Sequence, residues 1–153
     1  MLNQLQSLTE HVGGNNALID QWLQARKQLL VAYYHLVGIK PKREALSALD
    51  DTALDNFCHN LVDYLSTGHF HLYEKMLHEA ATHSESLLAH STQLDIALQN
   101  NTQHIMTFYD SHLMTSIDHD NYLEFQRALS CVGEALETRF TLEDNMIRLV
   151  YDS

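Results

Sequence analysis

Apolar residues return every three or four positions along most of this 153-residue chain, which is the spacing of amphipathic α-helices. Short polar or glycine-containing segments separate the helical stretches. The predicted elements are a short opening segment ending at Gly13-Gly14, a helix from about residue 15 to Val37, a helix through Leu54 and Leu65, a shorter helix from His69 to about Ala81, a long helix running toward Ile117, and a last helix to about Val150. This pattern predicts an all-α fold, an antiparallel four-helix-type bundle with additional short helices.

Capping residues predict where three of these helices begin. A Ser, Thr, Asp or Asn side chain satisfies free backbone N–H groups of a first helical turn, and an acid three residues later strengthens the signal. The pairs with this spacing are Thr52 with Asp55, Thr82 with Glu85, and Asn121 with Glu124. We therefore expect helix starts at these positions.

Three of the helices carry polar side chains within their apolar stripes: Arg26, then Asn101 and His112, then Arg139 and Glu143. Because a buried charge must be paired, Arg26 and Glu143 are expected to neutralise one another, with the amide and imidazole adding hydrogen bonds. In the alternative, Arg26 lies along an apolar groove with its head in water, and Arg139 forms a surface pair with Glu143. A polar core of this kind would fix helix register rather than perform chemistry.

Composition narrows the class of protein. One Pro, five Gly and 45% apolar residues favour a compact helical fold, and the length favours one domain spanning residues 1–153. Nine Lys and Arg against twenty Asp and Glu give a net charge of −11, which repels nucleic acid and anionic lipid and favours a basic protein partner. Two cysteines without metal spacing, no apolar leader and no membrane-length apolar run predict a cytoplasmic protein.

Eleven histidines raise a metal-binding or redox helical bundle as the alternative function. A di-metal bundle needs Glu-x-x-His pairs on facing helices, and the chain contains no such pair. His71, Glu74 and His78 share a helix face without a partner set, and Asp118-His119-Asp120 is explained by helix capping. No nucleophile elbow or phosphate-binding loop occurs. We therefore expect no metal, no cofactor, no catalytic residue and no enzymatic activity.

An acid and an aromatic residue are predicted to lie together on the polar face of the third helix. Asp63 and Ser66 lie opposite its apolar stripe, and Phe70 joins them if the helical phase continues past Gly68. An acid beside an exposed aromatic side chain is typical of a recognition patch. In the alternative, Gly68 rotates the chain and Phe70 packs with Tyr73 in the core.

Several long stretches of the sequence carry a resemblance to a known family. They read WLQARK from Trp22, LLVAYY from Leu29, LVGIKP from Leu36, LVDYLSTGHF from Leu61, IDHDNYLEF from Ile117 and GEALE from Gly133. Together they resemble the Rsd/AlgQ family of anti-sigma factors over nearly the whole chain. The resemblance implies a helical bundle with a partly hydrophilic core.

What the resemblance implies about function is the binding of the primary sigma factor of RNA polymerase through its promoter-reading region 4 when growth slows. Sigma would thereby be withheld from core polymerase and promoter DNA, leaving alternative sigma factors freer to compete. A phosphocarrier protein of the sugar phosphotransferase system is implied as a second partner. We expect Asp63 to pair with a basic residue of sigma. The residues expected around it are Ser66 and Phe70 beside it, and Trp22, Arg26 and Tyr34 completing the surface or supporting it from the core.

Overall fold

The computed structural model describes residues 17–38, 48–113 and 122–151. Its helices are α1 (Ala17–Val37), α2 (Ala48–Thr67), α3 (Glu74–His83), α4 (Glu85–Phe108) and α5 (Tyr122–Tyr151). Two π-helical segments extend them: Gly68–Tyr73, here called the π turn, joins α2 to α3, and Tyr109–Leu113 follows α4. The described residues contain no strand, so the predicted all-α fold is confirmed. Predictions for residues 1–14 and the turn 118–121, and the approach to Ile117, lie outside the described residues.

Aromatic contacts set the direction of α1 against α2. Trp22 stacks on Tyr64 with ring centroids 4.1 Å apart, while Tyr33, three turns later, faces Phe57 at 5.8 Å. Rising residue numbers in α1 therefore match falling numbers in α2. The two helices are antiparallel, as the short connection between them requires.

Polar contacts set the direction of α1 against α5 in the same way. Arg26 donates to Asp144 at 2.6 Å, and Tyr33 donates its hydroxyl to the carbonyl oxygen of Leu129 at 3.2 Å. The second contact needs Gly133, because a Cβ there would come within 2.0 Å of the Tyr33 hydroxyl. Thus α1 also runs antiparallel to α5, and Gly133 lets the Tyr33 hydroxyl approach the α5 backbone.

The core is formed by one face of each helix, and the apolar stripes predicted for the helices supply most of it. No described helix has the length and apolar character needed to cross a membrane. The largest fully buried aromatic and aliphatic side chains are Tyr73, Phe57, Phe140, Ile19, Leu29, Leu30, Leu36, Leu61 and Leu72.

Two of the predicted helix starts are wrong. Ser84, not Thr82, caps α4: its backbone is extended, and its hydroxyl accepts from the N–H of Leu87 at 3.0 Å. Thr82 lies inside α3 and donates to the carbonyl oxygen of Glu79. Thr52 lies inside α2, which begins at Ala48. In both cases a residue with a capping side chain stands within a helix because tertiary packing, not the local signal, sets the boundary.

The helix predicted from His69 to Ala81 is in fact the π turn followed by α3. An α-helix advances about 100° per residue, so Tyr73, nine residues after Tyr64, would point about 180° away from it in an unbroken α-helix. Both tyrosines are 2% exposed and lie on the same side. The extra residue of a π turn rotates Tyr73 back by about one residue step and places it in the core beside Leu72.

Candidate partner-binding face and the polar network behind it

The exposed side of α2 and the π turn carries the three residues predicted to form a patch. Asp63, Ser66 and Phe70 are all exposed, and the Phe70 side chain is 65% exposed. The alternative in which Phe70 packs into the core is therefore wrong. His69 lies edge-on to the Phe70 ring, with ring centroids 4.9 Å apart. We call Asp63, Ser66 and Phe70 together the α2 face.

Tyr34 is 43% exposed but does not lie beside the α2 face. Its neighbour Tyr33 contacts Phe57, which places Tyr34 near the level of Phe57 along the bundle. Phe57 and Phe70 are separated by about 20 Å of helix. The structure therefore puts Tyr34 at the far end of α2 from Phe70, within reach of a large partner only.

Trp22 and Arg26 are buried, at 3% and 0% exposure. Neither can touch a partner docked on the surface. Of the two roles that the sequence left open for them, support from the core is the one compatible with the structure. Trp22 stacks on Tyr64, which directly follows Asp63 and lies two residues before Ser66.

Behind the α2 face lies a set of buried polar side chains that we call the buried network, centred on Arg26. Its Nη1 donates to Asp144 at 2.6 Å, its Nη2 to Glu143 at 3.2 Å, and its Nε to the Tyr64 hydroxyl at 3.2 Å. The guanidinium also lies over the Phe140 ring, 4.7 Å from its centroid. Arg26 is thus fully partnered inside the bundle, so the alternative of a head group in water is wrong.

The Glu143 carboxylate, on α5, accepts hydrogen bonds from three other elements of the fold. Its Oε1 accepts from Arg26 of α1 and from the Tyr64 hydroxyl of α2, and its Oε2 accepts from the Tyr73 hydroxyl of the π turn. Arg139 Nε lies 3.6 Å from Oε2, and both side chains are 0% exposed, so the alternative of a surface pair is wrong. One carboxylate therefore ties α1, α2 and the π turn to α5.

Arg139 extends the network to α4. Its Nη1 donates to the Asn101 side-chain oxygen at 3.2 Å and to the Thr102 hydroxyl at 2.8 Å, while Asn101 donates to the carbonyl oxygen of Ala135 at 2.8 Å. Its guanidinium lies 5.5 Å from the centroid of the Tyr73 ring. The structure thus brings together four of the five residues predicted for the polar core. The side chain of His112, the fifth, is outside the described residues.

The electrostatics of the network follow from its burial. Desolvation alone would lower the pKa of Arg26, but Tyr64, Glu143 and Asp144 raise it above its ordinary value. Burial raises the pKa of Asp144, against the opposing effect of Arg26. Burial, followed by the charge of Glu143, raises the pKa of Tyr73 well above its ordinary value. Two arginines face two carboxylates, so the charges balance without water.

Sequence reasoning missed Tyr64, Tyr73 and Asp144 as members of the network. Asp144 directly follows Glu143 on α5, and Tyr64 directly precedes Leu65 of the apolar stripe. Their positions in the sequence could therefore have indicated that both lie near the core. Tyr73 is expected in the core only in the alternative in which Gly68 rotates the chain, and its hydrogen bond to Glu143 was not predicted because it depends on the π turn. In the described residues no group of three or more His, Cys, Asp or Glu side chains is arranged to hold a metal ion, and His71, Glu74 and His78 are exposed.

Comparison with known proteins finds a matching family and close relatives. The sequence model of a family described as "Regulator of RNA polymerase sigma(70) subunit, Rsd/AlgQ" matches residues 1–151. The chain is 86% identical over 153 residues, the whole of both chains, to a Regulator of sigma D from Pectobacterium carotovorum subsp. carotovorum strain PC1. It is 58% identical over 153 residues to the Regulator of sigma D of Salmonella paratyphi B strain ATCC BAA-1250 / SPB7, covering 100% of this chain and 93% of that relative.

Proposed function

The chain belongs to the Rsd/AlgQ family of regulators of the RNA polymerase sigma(70) subunit, and on that premise we propose that it is an anti-sigma factor acting by occlusion. It binds the primary sigma factor through the α2 face and keeps it from core polymerase and promoter DNA. Alternative sigma factors then compete more freely for the polymerase during slow growth. The action is stoichiometric, needs no catalysis or cofactor, and takes place in the cytoplasm.

The observation that carries this proposal is that the Phe70 ring and the Asp63 carboxylate, seven residues apart in the chain, are both exposed on the α2 face. An aromatic anchor next to a charge is the usual composition of a binding hot spot. The sequence of α2 contains four aspartates, Asp50, Asp51, Asp55 and Asp63, and no Lys or Arg. A helix of this charge complements a basic surface and repels phosphate backbones.

Sigma region 4 has the matching chemistry, since its DNA-reading helix-turn-helix is basic. Covering that surface blocks promoter contact without requiring the anti-sigma factor to bind DNA itself. We place region 4 on the α2 face for this reason. The phosphocarrier protein implied by the resemblance stays a prediction, because no described residue selects for it.

The proposal predicts that Asp63→Ala weakens binding to purified sigma region 4. Removing one partner of a desolvated ion pair costs about 2–5 kcal/mol, or roughly thirtyfold or more in Kd. Isothermal titration calorimetry of the wild type and the variant measures the change. Because Asp63 is exposed, we expect the fold and its stability to be unaffected.

Asp55→Ala is the matched control, since Asp55 is an exposed aspartate on the same helix and its loss changes the net charge equally. We expect a small effect from it. Unchanged affinity in Asp63→Ala would refute the contact, and equal losses in the two variants would show that net charge alone attracts sigma. A mobility shift of promoter DNA by the protein alone at low salt would refute the occlusion mechanism.

A further inference from the structure

The π turn at Gly68–Tyr73 interrupts the helix at the point where the α2 face ends. π-helical turns are rare, appear mostly as single turns inside α-helices, and are frequent at functional sites. Within this turn, Phe70 is 65% exposed and Tyr73 is 2% exposed. Something in the surrounding structure must stabilise it against reverting to an α-helix.

Two contacts of Tyr73 meet that requirement. Its hydroxyl donates to Oε2 of Glu143, deep in the bundle. The hydroxyl passes Gly68 so closely that a Cβ on that residue would lie 3.0 Å from it and 2.8 Å from Trp22. Glycine at the start of the turn therefore gives the tyrosine at its end a path to the carboxylate.

We propose that Tyr73 is a positioning residue for partner binding: its hydrogen bond to Glu143 holds the π turn in the register that presents Phe70 to the partner. If the segment reverted to α-helix, Tyr73 would rotate away from the core by about 100°. The segment carrying Phe70 would change its direction relative to Asp63 at the same time. This inference rests on the proposed function in using the α2 face as the binding surface.

The two tyrosine donors to Glu143 are not equivalent, and the difference supplies a matched control. Oε1 keeps the Arg26 hydrogen bond at 3.2 Å if Tyr64 loses its hydroxyl. Among the described residues, Oε2 has Tyr73 as its hydrogen-bond donor, and Arg139 Nε lies at 3.6 Å. Tyr64 belongs to regular α-helix, so Tyr64→Phe perturbs the same carboxylate, and also removes the acceptor of Arg26 Nε, from outside the π turn.

The first experiment uses the free full-length protein and needs no partner. Hydrogen exchange of the backbone amides in the π turn and the first turn of α3 is measured for the wild type, Tyr73→Phe and Tyr64→Phe. A hydrogen bond to a charged group is worth enough to predict roughly tenfold or faster exchange there in Tyr73→Phe. Tyr64→Phe should leave these amides close to wild type. Circular dichroism checks that both variants retain their helix content.

The second experiment measures binding to sigma region 4 in a double-mutant cycle with Phe70→Ala. Tyr73→Phe should weaken binding roughly threefold to thirtyfold in the wild-type background. It should cause no further loss when Phe70 is already alanine, because the tyrosine acts through that ring. A residue with a merely structural role would weaken binding equally in both backgrounds.

Each outcome decides the proposal. Faster exchange in the π turn together with a binding loss that depends on Phe70 supports it. Unchanged exchange in Tyr73→Phe, unchanged affinity, or a loss that is the same with and without Phe70 overturns it. If the wild type fails to bind the sigma fragment, the proposed function fails and the recognition role of Tyr73 fails with it, while the exchange result still decides whether the hydroxyl holds the turn.

Discussion

At the scale of single residues, two glycines admit aromatic side chains where a Cβ would leave too little space. Gly133 lets the Tyr33 hydroxyl lie where a Cβ would come within 2.0 Å of it, and Gly68 admits the rings of Trp22 and Tyr73. In a helix interior, glycine normally costs about 0.5–1 kcal/mol relative to alanine. The close contacts that Gly133 and Gly68 permit must offset that cost.

Gly68→Ala is therefore expected to destabilise the protein, although alanine is the better helix former. The added methyl group meets the Trp22 ring at 2.8 Å, where two buried aromatic rings leave it no space. Overpacking of this kind costs about 1–3 kcal/mol. Urea unfolding followed by circular dichroism measures the loss.

Gly38→Ala is the control for that measurement. A Cβ at Gly38 meets nothing closer than the Tyr34 carbonyl oxygen at 3.4 Å, so the free energy of unfolding should change by no more than about 0.5 kcal/mol. Equal stability of Gly68→Ala and the wild type would show that Trp22 and Tyr73 can move aside, and that Gly68 has no steric role.

At the scale of elements, the sequence predicts what depends on periodicity and fails where packing overrides it. The polar residues Arg26 and Glu143 could be predicted to meet, because each interrupts an apolar stripe and a buried charge requires a partner. The sequence predicts a break at Gly68 but not its form, because one residue added as a π turn leaves no signature in the apolar spacing. The alternative in which Gly68 rotates the chain was therefore right about Tyr73, which is buried, and wrong about Phe70, which is exposed.

The same limit explains the helix starts. Thr82 and Ser84 both have side chains that can cap a helix. Which of them does so depends on where the chain leaves α3, and Ser84 is the residue whose backbone is extended. By contrast, the exposure of Asp63 and Ser66 could be predicted from helical phase alone, because both residues lie in the same continuous α-helix as the apolar stripe that they oppose.

The attachment of α2 and the π turn to α5 predicts sensitivity to alkaline pH. Burial raises the pKa of Tyr64 and Tyr73 well above 10.0; the charge of Glu143 adds to the rise, while Arg26 opposes it at Tyr64 and Arg139 opposes it at Tyr73. In the unfolded chain both ionise near pH 10, whereas in the folded protein both stay protonated. Their contribution is therefore fully present below about pH 10 and is lost as the pH rises from there toward the folded-state values.

Each buried tyrosine should lower the free energy of unfolding by about 1.4 kcal/mol per pH unit above pH 10. Urea unfolding between pH 9 and about pH 11 measures the slope. Tyr64→Phe and Tyr73→Phe should each reduce the slope by the contribution of one tyrosine. Burial raises the pKa of Cys58 to about 11, so its ionisation contributes to the slope equally in the wild type and both variants. A slope that neither variant changes would mean that these hydroxyls ionise in the folded protein as they do in the unfolded one.

At the scale of the whole molecule, the acidic charge is concentrated away from the α2 face along the chain. Residues 77–153 hold twelve acids and three arginines, whereas residues 1–76 hold eight acids and six Lys and Arg. The acids Glu124, Glu134 and Glu137 are exposed on α5. Long-range fields accelerate encounter with a basic partner, while contact residues determine how long the complex lasts.

Changing Glu124, Glu134 and Glu137 to glutamine together should therefore slow association with sigma region 4 by about two- to tenfold at low salt. Dissociation should change little. Asp63→Asn, the contact control, should mainly speed dissociation. Stopped-flow mixing at two salt concentrations separates the rates. Faster dissociation of the triple variant with unchanged association would mean that α5 forms part of the contact surface.

The position of Trp22 gives the molecule an optical property. It is the single tryptophan of the sequence, is 3% exposed, stacks on Tyr64 at 4.1 Å and meets Tyr73 edge-on at 6.4 Å. Tryptophan fluorescence of the native protein therefore comes from one interior point where α1, α2 and the π turn meet. A partner without tryptophan that only covers the outer face would leave this emission unchanged, while one that rearranges the interior would shift it, so no added label is needed to tell them apart.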